Sequence, residues 1–290
     1  MLDYILSASI QWNKVGLVLG LIAGLAVVLA VAILIVTKVC HIQEDEKVLK
    51  VLDHLAGANC GGCGYSGCEG FAKGLCSGAA GINDCKSTSN ENKKIIAELT
   101  GLEFTAESPT MAVVKCSGGD AAENLYSYVG NDDCINEVLY QGGSKVCTTA
   151  CLGHGSCAVK CPEGAISVVN GIAHINPALC TSCGTCIKTC PKHCIERIPV
   201  NAKVYVACNT KCKGKETIAQ CKNGCISCGL CVRNCPNGAI TMVDNLPVID
   251  YTKCNGCQTC MQKCPKKVIK EPKMKIEKIV KEVKKIEEKK

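Results

Sequence analysis

Large aromatic side chains are almost missing from this 290-residue chain, which has two phenylalanines and one tryptophan. That scarcity excludes an ordinary large aromatic core, so the small folded units must be held by disulfides or metal as well as by burial. Also missing are an RNA-binding signature and any run of basic and aromatic residues, which argues against a nucleic-acid partner. The formal charge of +7 does not restore that reading: residues 266–290 hold eleven lysines against five glutamates, leaving the rest nearly neutral. There is no Walker A loop and no flavin attachment site. No acid, base or nucleophile constellation nominates a catalytic centre. Between Val15 and Val36 there is no charge at all.

What the chain has instead is cysteine, 28 residues of it. No removable signal peptide is evident, and the cysteines recur two and three residues apart, as metal sites require, rather than scattered as in secreted disulfide scaffolds. Metal is therefore the expected staple.

The stretch from Val15 to Val36 is 22 uncharged apolar residues, enough to cross a bilayer as one helix. Trp12, Lys14 and Lys38 flank it as interface residues would. It is too long for a signal-peptide core and lacks a small-residue cleavage site, and Val39 before Cys40 does not fit a lipoprotein. A retained anchor is expected. Gly16, Gly20 and Gly24 share one helix face, which suits close helix approach or simply reflects glycine's frequency in membrane helices. At the other end, Ile276, Ile279, Val280, Val283 and Ile286 have helical spacing between charges; the tail is expected either to lie on a surface or to remain a solvated lysine-rich extension.

Shifting the sequence by 74 places nine cysteines on cysteines, so a unit has been duplicated. Cys134, Cys147, Cys151, Cys157 and Cys161 fall on Cys208, Cys221, Cys225, Cys231 and Cys235; Cys180, Cys183, Cys186 and Cys190 fall on Cys254, Cys257, Cys260 and Cys264. Between the runs, each copy reads as a hairpin, with turns at Asn170-Gly171 and Asp244-Asn245. The second copy has two complete C-x2-C-x2-C-x3-C-P runs. In two-cluster ferredoxins the fourth cysteine of each run serves the other run's cluster. One [4Fe–4S] cluster is thus expected on Cys225, Cys228, Cys231 and Cys264, another on Cys235, Cys254, Cys257 and Cys260. In the first copy His154 stands where the second has Cys228. Cys147, four residues before Cys151, is expected to supply the thiolate, giving Cys147, Cys151, Cys157 and Cys190; His154 is the alternative ligand. Cys161, Cys180, Cys183 and Cys186 take the fourth cluster.

Cys60, Cys63 and Cys68, with Cys85 further on, fit a fifth. The G-x-G-x-x-G at Gly62, Gly64 and Gly67 is rejected as a dinucleotide site, because its approach reads as helix and Cys63 lies within it. Zinc, the rival metal, also uses C-x2-C pairs, but three cysteines in a row closed by C-P and doubled fit a cube better. A sixth cluster could use Cys208, Cys212 and Cys221 with Cys116 or Cys134. Cys40, Cys76 and Cys194 read as small apolar residues, and His41, His54, His174 and His193 carry no pattern.

An anchor helix, then "GANCGGCGYSGC", then ferredoxin units, together with "VVKCSGGD" and "YVGNDDC", resembles the B subunit of the Rnf ion-translocating ferredoxin:NAD+ oxidoreductase, over about residues 1–270. It is similar to the longer members with two ferredoxin units. The resemblance implies a single-pass protein of the cell membrane with its clusters on the cytoplasmic face. It also implies electrons from reduced ferredoxin, hand-off to membrane and NAD-binding subunits, and sodium or proton transport by the whole complex. A polyferredoxin component of another membrane oxidoreductase is the alternative. The expected fold is a set of small α+β iron–sulfur modules: an anchor over 1–40, a four-cysteine domain over 41–105, a linker and first ferredoxin-like unit over 106–200, a second over 201–270, and a tail over 271–290. The expected cofactors are five [4Fe–4S] clusters, or six, with no flavin or NAD on this chain.

Overall fold

A computed structural model describes residues 12–39 and 45–272. They fall into two compact units, divided after Glu46. Cys40, His41 and the tail from residue 273 onward lie outside the described residues.

Helix α1 (Trp12–Val39) has 28 residues, about 42 Å at 1.5 Å each. Its Val15–Val36 segment has a mean hydropathy of 3.1 and none of it is buried. A helix that is apolar all round and covered by no protein is suited to lipid.

The second unit begins with three short helices around one small core. Helix α2 (Glu46–Asp53) buries Val48 and Val51 from one face, the i,i+3 spacing of an amphipathic turn. Helix α3 (Cys68–Cys76) adds Phe71, Ala72 and Leu75, and α4 (Asn90–Thr100) adds Ile96. Full burial of Phe71, Leu75 and Ile96 stabilises by about 1.5–3 kcal/mol each. The Ser89 side chain caps α4 by accepting the Asn92 N–H at 3.2 Å, and Gly101, left-handed at φ 76°, ends it. The Cys68 N–H at the start of α3 donates to Asn59 Oδ1 at 2.8 Å, which ties a cysteine to the loop before it.

The rest of this unit is a duplicated α+β module. In the first copy, β1 (Thr110–Val114) precedes three short helices: α5 (Cys134–Val138), α6 (Ser156–Val159) and α7 (Thr185–Thr189). Strands β2 (Ile166–Val169) and β3 (Ile172–Ile175) form a hairpin between α6 and α7, and β4 (Ile195–Pro199) returns to pair antiparallel with β1. In the second copy β5 (Tyr205–Val206) is followed by α8 (Gly214–Gln220) and α9 (Leu230–Arg233). The hairpin of β6 (Ile240–Val243) and β7 (Leu246–Ile249), then α10 (Thr259–Gln262), lead to β8 (Ile269–Lys270), which pairs with β5. Both hairpins turn on two residues of positive φ, Asn170 and Gly171 in one and Asp244 and Asn245 in the other, as two-residue turns that match strand twist require.

The register shows how the copies correspond. Val114 faces Ile195, and Val206 faces Ile269. Strands β4 and β8 are related by 74, but β1 and β5 are related by 92. The first copy therefore carries eighteen extra residues after β1, and the structural equivalent of Cys208 is Cys116, not Cys134. The N–H of Cys151 donates to Cys116 Sγ at 3.4 Å, and that of Cys225 donates to Cys208 Sγ at 3.4 Å.

Each copy buries one side of its strands over cysteines. Ala112, Val114, Ile166, Ile172 and Ile195 surround thiols in the first copy; Val206, Ile240, Leu246, Val268 and Ile269 do so in the second. Met111 and Val113, the alternate residues of β1, point the other way and pack with Ile198 against Tyr205 and Tyr251. That contact joins the copies. Burial there pushes the Tyr205 hydroxyl up to about 12 and raises Tyr251 as well.

Candidate metal centres

The cysteine runs are wrapped by a common loop geometry. In the run of Cys180, Cys183 and Cys186, Ser182 and Gly184 have φ of 59° and 83°. Ser227 and Gly229 do the same around Cys228, Gly256 and Gln258 around Cys257, and Gly153 and Gly155 around His154. Left-handed residues on both sides of the middle position bend the chain sharply, and the helix that follows places the third thiol. For serine and glutamine this backbone is costly, so something beyond local preference maintains it.

Three cavities are lined by the thiols expected together. Cys225, Cys228, Cys231 and Cys264 surround about 360 Å³, with Val268 and Ile269 as apolar walls. Cys235, Cys254, Cys257 and Cys260 surround about 320 Å³. Cys60, Cys63, Cys68 and Cys85 surround about 360 Å³, and Cys183 lies in the same wall. This last cage is tied to the first ferredoxin-like copy. The Thr185 hydroxyl donates to the Cys60 carbonyl at 3.3 Å, and Lys188 Nζ to the Gly62 carbonyl at 2.9 Å. A Cβ on Gly62 would stand 2.3 Å from the Cys183 carbonyl oxygen, so only glycine allows this approach.

Burial makes the uncoordinated thiols hard to ionise. It pushes Cys157 and Cys186 up to about 12, and Cys225 and Cys260 up to about 11; neighbouring thiols add to the effect. Cys60 is also raised, first by burial, although the Gly62 N–H opposes the shift. Buried thiols of this kind become ligands when a cation supplies the missing stabilisation. Among the described residues no three cysteine, histidine or acidic side chains converge on a single metal ion. A tetrahedral zinc with Zn–S of about 2.3 Å needs such convergence. The cages, each lined by four of the expected thiols, fit a polynuclear iron–sulfur group.

Known families match the same segments. Residues 55–87 match a putative Fe-S cluster family, residues 173–196 a 4Fe-4S binding domain, and residues 224–268 a 4Fe-4S dicluster domain. Over 255 residues the chain is 37% identical to the B subunit of the Na(+)-translocating ferredoxin:NAD(+) oxidoreductase complex of Acetobacterium woodii, covering 87% of this chain and 77% of that protein. It is 37% identical to the B subunit of the ion-translocating oxidoreductase complex of Methanosarcina acetivorans, covering 90% and 98%. The chain belongs to the family of B subunits of ion-translocating oxidoreductase complexes. A third family member, the B subunit of the proton-translocating ferredoxin:NAD(+) oxidoreductase complex of Clostridium ljungdahlii, is 39% identical over 76% of this chain and 79% of its own length.

Within this family member, Cys147, Cys151, Cys157 and Cys190 of the first copy share one buried core. Cys157 has the thiols of Cys151, Cys190, Cys134 and Cys186 as neighbours. Cys147 also lines a cavity with Cys116, Cys208 and Cys221. Cys134 opens helix α5, between Cys116 and Cys147, the stretch that holds the eighteen extra residues. Its N–H donates to Ser156 Oγ at 2.8 Å, and Ser156 donates to Asp133 at 2.6 Å. His154 is turned away from the thiols: its Nε2 lies 2.5 Å from Glu137 on α5, and its Nδ1 3.3 Å from Asp132. Glu137 is 1% exposed. Burial opposes its charge, but the Ser144 and His154 hydrogen bonds outweigh that and hold its carboxyl below the usual range. His154 thus clamps the helix that presents Cys134.

Two further cysteines lie apart from the expected sets. Cys212 sits beside Glu216 and Gln220 on α8, at 3.2 and 3.6 Å, and does not line the cavity of Cys208 and Cys221. Cys194 is not merely a small apolar residue: its sulfur lies 3.5 Å from that of Cys190.

Proposed function

We propose that this chain is the electron-relay component of a membrane-bound, ion-translocating ferredoxin:NAD+ oxidoreductase. It accepts electrons from reduced ferredoxin and delivers them to membrane and NAD-binding partner subunits. Helix α1 crosses the cell membrane once, with the cysteine cages on the cytoplasmic side. Because α1 has no ionisable group between Val15 and Val36, it offers no ion path, and sodium or proton transport belongs to the partners.

The observation that carries this reading is the abutment of cages, with Cys183 in the wall of the cavity lined by Cys60, Cys63, Cys68 and Cys85. A [4Fe–4S] cluster supplies reversible one-electron chemistry when bound, at a potential set by burial and hydrogen bonds to sulfur. The residues that would hold these groups are Cys60, Cys63, Cys68 and Cys85; Cys161, Cys180, Cys183 and Cys186; Cys225, Cys228, Cys231 and Cys264; Cys235, Cys254, Cys257 and Cys260; and, revised from the spacing, Cys134, Cys151, Cys157 and Cys190. In that fifth set α5 brings the thiol that His154 replaces in the run.

Anaerobically purified protein should bind iron and sulfide in equal amounts and bleach on addition of reduced ferredoxin. A colourless protein loaded only with zinc would end this reading. Cys134→Ser should lose about four irons per chain, one cube's worth, whereas His154→Ala should keep its iron. Full iron retention in Cys134→Ser would return the ligand role to Cys147.

A further inference from the structure

We infer that Cys116, Cys147, Cys208 and Cys221 form a sixth [4Fe–4S] site, built across the seam between the two ferredoxin-like copies. The inference rests on the reading above that the cysteine cages hold cubes. None of the four residues lies in a C-x2-C run or within the matched segments 55–87, 173–196 and 224–268. All four are buried and line one cavity, as the four thiols of each of the three cages above line theirs.

Duplication accounts for the composition of this site. Cys116 and Cys208 both follow the first strand of their copy, two residues after Val114 and Val206. Cys147 and Cys221 both stand four residues before the first cysteine of a ligand run. Each copy therefore brings two thiols in equivalent positions, and one copy alone cannot complete a four-thiol cage. The seam is closed around them by main-chain and side-chain bonds. Ser117 Oγ donates to the Ala207 carbonyl at 2.8 Å, Asn223 Nδ2 to the Ser117 carbonyl at 3.1 Å, and the Glu123 N–H to the Gln220 carbonyl at 2.9 Å.

The sulfurs are also dressed as ligand sulfurs are. Cys116 Sγ accepts the N–H of Gly118 and that of Cys151, both at 3.4 Å; Cys208 Sγ accepts the N–H of Cys225 at 3.4 Å. Cys151 and Cys225 belong to the neighbouring cages, one in each copy, so the seam cage touches both. A Cβ on Gly118 would stand 3.2 Å from Cys221 Sγ and 3.7 Å from Cys116 Sγ, so glycine leaves room for the cage. Burial raises Cys116, Cys208 and Cys221, with Cys147 a charged neighbour of the last two.

The test is iron, sulfide and zinc per chain on the anaerobically purified full-length protein, with spin quantitation of the dithionite-reduced sample. Wild type should hold about 24 irons, four for each of six cubes. Cys208→Ser and Cys221→Ser should each hold about 20 and lose one reduced-cluster spin, while Cys212→Ser keeps the full count. A wild-type count of about 20 irons, or that count with one zinc, overturns the inference while leaving the function proposed above intact. Absence of iron altogether overturns that function instead. Should a serine variant misfold and lose more than one cube, the wild-type count still decides.

Discussion

Cys194 sits at the end of the first copy's last ligand run, where the second copy has Val268. Both side chains are buried, at 1% and 2% exposure. The Cys194 thiol approaches Cys190 Sγ at 3.5 Å. Hydrogen bonding with Cys194 draws the Cys151 and Cys190 thiols down and raises Cys194. A thiol at this distance can offer its S–H to a ligand sulfur. At 3.5 Å from Cys190 it is too close for both sulfurs to occupy separate corners of one cube. A donor to ligand sulfur withdraws electron density and raises the cluster's potential. Cys194→Val should thus lower the potential of the cluster on Cys151 and Cys190 without iron loss, reducing its reduced-to-oxidised ratio about threefold to tenfold, with 59 mV for each tenfold. Val268→Cys should move the equivalent cluster of the second copy upward. Redox titration followed by electron paramagnetic resonance reads both; iron loss from Cys194→Val would make Cys194 a ligand instead.

At the scale of elements, legibility in the sequence followed locality. A C-x2-C-x2-C loop carries three cysteines within seven residues, and each of the second copy's two expected sets lines one cavity; the hairpins were marked by Asn170-Gly171 and Asp244-Asn245. On the proposed assignment, the partner of the first copy's broken run is not local. Between Cys116 and Cys147, a stretch that contains Cys134, eighteen extra residues change the offset from 92 to 74, and on the proposed assignment α5 delivers that thiol from a segment with no run of its own. Cys147 was nearer in sequence, but it faces the seam. The Cys134–Cys208 coincidence at 74 concealed the equivalence of Cys116 and Cys208, which only strand register reveals. Cys183 at the cage of Cys60 was likewise invisible to spacing, although Gly62 marks the close approach. Gly62→Ala puts a methyl 2.3 Å from the Cys183 carbonyl, a backbone clash that must separate the N-terminal cage from α7. The expected outcome is full iron content, lost protection of the 60–64 amides in hydrogen exchange, and slower electron delivery to the partner subunits. Unchanged exchange and unchanged rate would show that the contact has no role.

On the proposed assignments, the cages across residues 47–272 form a single series. Cys235 and Cys264 interlock the two sets of the second copy. Cys225 reaches the seam through its bond to Cys208, and Cys151 leaves it through its bond to Cys116. Cys161 and Cys190 interlock the first copy's sets, and Cys183 adjoins the cage of Cys60. The two ends differ. Among the described cysteines Cys257 alone is exposed, whereas the cage of Cys60 belongs to the domain that follows α1 in sequence. An exposed ligand shortens the distance to a soluble donor, so ferredoxin is expected to deliver electrons at the Cys257 end and the membrane partners to withdraw them at the Cys60 end. Two ligand variants separate the directions. Cys257→Ser should abolish bleaching by reduced ferredoxin while dithionite, which needs no docking, still reduces the remaining clusters. Cys60→Ser should preserve ferredoxin-driven bleaching of the clusters that remain but block onward transfer in the assembled complex. The opposite pattern would reverse the series, with ferredoxin docking beside the N-terminal domain and the second copy facing the partners.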